Sequence, residues 1–82
     1  MSSTMEIRYK EFDKAFGKIL RRAADYTGKD ADCFLGHCFG AYMKDGKQGI
    51  LSLLDELYYC YPTTAYAYLH AADEIANISE VS

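Results

Sequence analysis

Apolar residues return every three or four positions from Tyr9 to Ala76, and the pattern breaks at only three places: Thr27-Gly28, the run Asp45-Gly46-Lys47-Gln48-Gly49, and Pro62. Such a period marks amphipathic helices, because it keeps one side of each helix apolar. No strand-like alternation competes with it. The spacing therefore predicts an all-α protein, a compact bundle of four short helices. Connections this short favour antiparallel neighbours. The 82 residues suffice for one domain, taken as 1–82.

The first predicted helix covers residues 6–26, with Tyr9, Phe12, Phe16, Ile19, Leu20 and Ala23 on one side and Lys10, Lys14, Lys18 and Arg21 on the other. Gly28 suits the left-handed position that ends a helix. The second runs from Ala31 or Asp32 to Lys44, with Asp30 as its N-cap. No residue from Cys33 to Met43 carries a fixed charge, which predicts a helix enclosed at the centre of the bundle. Gly36 and Gly40 lie four apart on it. Each glycine costs about 0.5–1 kcal/mol in a helix interior, so a close helix approach is expected there. The third helix spans Gln48–Cys60, with Ile50, Leu53, Leu54, Leu57 and Tyr61 inward. Pro62 breaks the chain, because its ring excludes helical geometry for the residue before it. The fourth helix spans Thr63–Ile78, with Ala65, Tyr68, Leu69, Ala72, Ile75 and Ala76 inward, and residues 79–82 are expected to fray.

A chain of this length buries only about 60–65% of its unfolded surface, which leaves little room for both a core and a deep pocket. A hydrophobic content of 50% argues against disorder. No apolar run is long enough to span a bilayer, so no membrane association is expected. The opening Met-Ser-Ser-Thr-Met-Glu-Ile-Arg lacks the apolar centre of a secretory signal. Three cysteines, an odd number, then read as free thiols in the cytoplasm. The net charge of −3 is uneven: residues 1–28 hold six basic and four acidic side chains, and residues 29–82 hold three basic and eight acidic ones.

Four groups of residues could carry chemistry. Cys33 and His37, one turn apart, could share a metal ion with Cys38, Cys60 or His70. The spacing does not follow zinc patterns, and cysteine is commonly a core residue, so no metal and no cofactor are predicted. His70 lies within a turn of Asp73 and Glu74. No nucleophile elbow or phosphate loop accompanies it, and the chain is read as non-enzymatic. The stripe Lys10, Lys14, Lys18 and Arg21 could track phosphates, which makes a nucleic-acid-binding accessory protein the alternative reading. The acidic pI of about 5.2 favours a solvated helix face instead.

The fourth group is the tyrosine-rich segment 58–68. Helical phase sends Tyr58, Tyr61 and Tyr68 inward, and Tyr59 and Tyr66 outward beside Asp55, Glu56, His70 and Asp73. Tyrosine gives large contact area with little loss of entropy, so outward rings among acids suit a protein contact. The expectation is a small acidic inhibitor or regulator. Asp55, Glu56, Tyr59, Tyr66, His70 and Asp73 would cover a basic surface of a larger protein or nucleoprotein complex. Phage-type inhibitors of host defence complexes and toxin-neutralising proteins are built on this scale. A homodimer, through the Gly36/Gly40 face or a tyrosine patch, is a further option.

Overall fold

Three continuous helical elements make up the structure, a computed structural model that describes residues 3–79. The expectation for residues 79–82 falls, beyond Ser79, outside that span. The first rod joins α1 (Thr4–Phe12) to α2 (Lys18–Thr27) through a π-helical turn, Asp13–Gly17. It begins two residues earlier than expected because the Ser3 hydroxyl accepts the Glu6 N–H at 3.1 Å. It ends where Gly28 adopts φ 75° and the Lys29 N–H reaches back to the Ala24 carbonyl at 2.9 Å, a Schellman closure. Asp30 then caps the next helix by accepting the Cys33 N–H at 2.9 Å.

The predicted second and third helices follow one another without a separating loop as α3 (Ala31–Cys60), two helices joined at a kink, so three continuous helical elements stand where four were expected. The five-residue run read as a turn does bend the chain, at two residues: Asp45 (φ −135°, ψ 17°) and Gly46 (φ 64°, ψ −148°). Helical hydrogen bonding resumes directly after the bend. The two halves of α3 meet so closely that a Cβ on Gly49 would overlap the Ala41 carbonyl oxygen. After the 3₁₀ turn Pro62–Thr64, α4 (Ala65–Ala76) returns along the second half of α3. Lys47 Nζ donates to the Ala76 and Ile78 carbonyls at 3.3 and 2.7 Å, and Tyr61 meets Tyr68 at the opposite end, so these two elements run antiparallel.

The rods close on one core of Phe12, Phe16, Leu20, Phe34, Leu35, Cys38, Ile50, Leu54, Tyr68 and Ile75. Tyr9, Phe39 and Tyr42 pack their rings against Phe12 and Phe16 at its α1 end. Three expectations about side-chain direction need correction. The first half of α3 is not enclosed: Cys33, Gly36, His37, Gly40, Met43 and Lys44 face outward. An added Cβ on Gly36 or Gly40 would meet nothing within 4 Å, so no close helix approach occurs at either. Tyr61 and Leu69, assigned inward, are 47% and 53% exposed. The α4 stripe is Tyr68, Ala71 and Ile75, turned one position from the expected arc. Burying the large Tyr68 ring rotates Leu69 to the edge.

Candidate functional site

All six residues expected to contact a partner are exposed, but they divide into two groups. Asp55, Glu56 and Tyr59 occupy the outer side of the second half of α3. Tyr59 is 74% exposed and meets the adjacent Tyr58 ring edge to face. Among the described residues, no hydrogen bond or ion pair engages the carboxylates of Asp55, Glu56 or Asp73. Leu69, expected in the core, adds apolar surface on α4.

Tyr66 and His70 belong to the other group. Their rings stack with centroids 6.2 Å apart and planes 7° apart. His70 Nε2 lies 3.1 Å from Glu74, and Arg22 of α2 reaches the same carboxylate at 3.2 and 3.5 Å. This link holds α2 and α4 on either side of a groove of about 230 Å³. Its floor is Ile19, Ala23, Ala67 and Ala71, and the small alanines leave the space unfilled. Tyr26, 77% exposed, stands on the α2 side. Helical phase alone could not have found this groove, because it arises between rods distant in sequence.

A second groove, of about 380 Å³, separates the two halves of α3. Lys29, Asp30, Cys33, His37 and Tyr61 line its polar side, with Lys29 Nζ 4.1 Å above the Tyr61 ring. The metal candidates do not assemble. Cys33, His37 and Cys60 are exposed while Cys38 is buried in the core, and no three metal-ligating side chains are grouped among the described residues. Cys33 and His37, one turn apart, share the second groove, but Cys38 is turned about 140° from Cys33, into the core.

The cysteines also differ chemically. The Asp30 carboxylate beside it, aided by Asp32, pushes the Cys33 thiol above its ordinary pKa. This opposes thiolate formation and argues against a nucleophilic role. Burial pushes Cys38 up to about 12. Native protein at pH 8 is therefore expected to label at Cys33 and Cys60 and to leave Cys38 untouched, as read by peptide mass mapping. Asp30→Asn keeps a competent cap, removes the charge, and should speed labelling of Cys33. Unchanged labelling would show that Asp30 does not govern this thiol. For Cys38, a folded-state pKa above the unfolded value means stability is full below about pH 9 and declines as pH rises toward about 12.

The basic stripe is exposed along the first rod, yet it is partly neutralised. Arg21 donates to Asp13 at 2.7 Å across Gly17, and neighbouring Arg22 is held by Glu74, leaving Lys10, Lys14 and Lys18 as its outward charges. No helix among the described residues is long and apolar enough to cross a membrane.

No protein-family model, curated protein or solved structure matches this chain. Any functional reading therefore rests on the surfaces themselves.

Proposed function

We propose that this protein is a non-enzymatic binding module of the inhibitor or regulator kind, which covers a basic surface on a larger protein or nucleoprotein complex. The observation that carries the reading is the set of unpaired carboxylates, Asp55, Glu56 and Asp73, accompanied by exposed Tyr59 and Leu69 on the antiparallel helices of residues 47–60 and 65–76. Carboxylates without internal partners keep their charge available for a cationic surface, steering encounter and setting orientation. Tyr59 and Leu69 supply apolar contact that loses little side-chain entropy on docking. Tyr66 and His70 belong to the groove edge and contribute less directly. The lysine stripe of the first rod is a weaker basis for nucleic-acid binding, since the adjoining arginines already face carboxylates.

The test is a comparative pull-down from the native host with wild-type and Asp55→Lys/Asp73→Lys baits, read by quantitative mass spectrometry. Both substituted positions are exposed, so circular dichroism should show an unchanged fold. A genuine partner is lost from the reversed bait and released from the wild type by salt. Equal recovery on both baits would show that this face is not the contact surface.

A further inference from the structure

We infer that the groove between α2 and α4 is a self-association surface, occupied by a second copy of this chain. The argument begins with the direction of the rods. Arg22 contacts Glu74, and seven residues further on Lys29 sits over Tyr61, so α2 and α4 run antiparallel. The α2 side carries Arg22, with Lys18 one turn before it. The α4 side carries Glu74. The groove thus has one basic and one acidic side, separated by an alanine-rich floor.

A surface of this kind is complementary to itself. A two-fold axis running along the groove places α2 of each copy over α4 of the other, antiparallel to it. Arg22 is level with Glu74 inside one copy, so the axis also brings it level with Glu74 of the second copy. Four residues on along α2 and four residues back along α4, Tyr26 comes level with His70, beside the Tyr66 ring that stacks on it. The exposed tyrosines would fill the space above Ala23, Ala67 and Ala71 and bury rings that each copy alone leaves in water. This inference goes beyond the proposed partner surface: Asp55, Glu56 and Tyr59 lie on another element, and Asp73 and Leu69 do not line the groove.

Analytical ultracentrifugation of the whole protein tests it, from about 1 μM to about 1 mM, a range that spans weak to moderate affinities. The wild type should move from the 9.3 kDa monomer toward twice that mass. Arg22→Glu and Glu74→Arg, made separately, place like charges together at both symmetry-related positions and should each weaken association by about tenfold or more. Mixing the two variants restores opposite charges at both positions, so a mixed dimer should form more tightly than either variant pairs alone. Tyr26→Ala, at a side chain 77% exposed, should also weaken pairing. Asp55→Lys should leave the mass distribution unchanged. A wild type that stays monomeric at the highest concentration overturns the inference. So does a dimer indifferent to the charge reversals and their mixture. Neither result bears on the carboxylate face, which is tested with a foreign partner.

Discussion

Gly49→Ala is expected to destabilise the protein by about 1–3 kcal/mol, the usual cost of forcing extra volume into a packed contact. In an ordinary helix the same change stabilises, by about 0.5–1 kcal/mol, because alanine loses less backbone entropy on folding. Here the new methyl would overlap the Ala41 carbonyl oxygen and come within 2.8 Å of its carbon, and backbone cannot rotate aside as a side chain can. The two halves of α3 would have to separate, loosening Ile50 and Leu54 in the core just beyond. Gly36 and Gly40 provide controls on the same helix. Nothing lies within 4 Å of a Cβ at either position, so Gly36→Ala and Gly40→Ala should each raise stability by about 0.5–1 kcal/mol. Urea unfolding followed by circular dichroism reads all three. Total stability for a chain of this length is of the order of 4–12 kcal/mol, so the opposite signs are easily resolved. A Gly49→Ala variant as stable as the controls would refute the close approach between the two halves.

Tyr68 supports the second large effect. It is fully buried, and its ring packs between Phe34 and Tyr61 at centroid distances of 6.4 and 6.3 Å. Truncation to alanine should cost about 3–5 kcal/mol, as for other large aromatic cores, a substantial share of the total. The conservative change runs the other way. Among the described residues the Tyr68 hydroxyl finds no hydrogen-bond partner, and a buried polar group without one carries its desolvation cost uncompensated. Tyr68→Phe retains the ring packing and removes that cost, so thermal and urea midpoints should rise, by about 1 kcal/mol in stability. A fall in stability for the phenylalanine variant would mean that the hydroxyl is engaged after all.

The boundaries of the elements were legible because they depend on local chemistry. Gly28 reaches a conformation that side chains avoid, Asp30 accepts an N–H three residues ahead, and Pro62 ends α3 wherever the rest of the chain lies. The bend at Asp45-Gly46 was also legible, although the short interruption it makes was not. The rotation of each helix about its axis was less accessible. In α4 the arcs led by Tyr68 and Leu69 are almost equally apolar, and the choice between them came from the space beside Phe34 and Tyr61. The absence of charge from Cys33 to Met43 suggested an enclosed helix, yet one side of it is solvent-facing, because glycine, cysteine and histidine can face water without a fixed charge.

By itself, the order of residues determined that the chain is helical, where the helices begin and end, and that Tyr59 and Tyr66 face outward, since caps, breaks and short-range periodicity act within a few residues. Only the tertiary structure decided that Tyr66 and His70 join Arg22 and Glu74 at a groove apart from Asp55, Glu56 and Tyr59, and that Gly49, not Gly36 or Gly40, marks the closest backbone contact. Those outcomes depend on which distant segments share space, and side-chain volume and backbone geometry settle that only when the rods pack together.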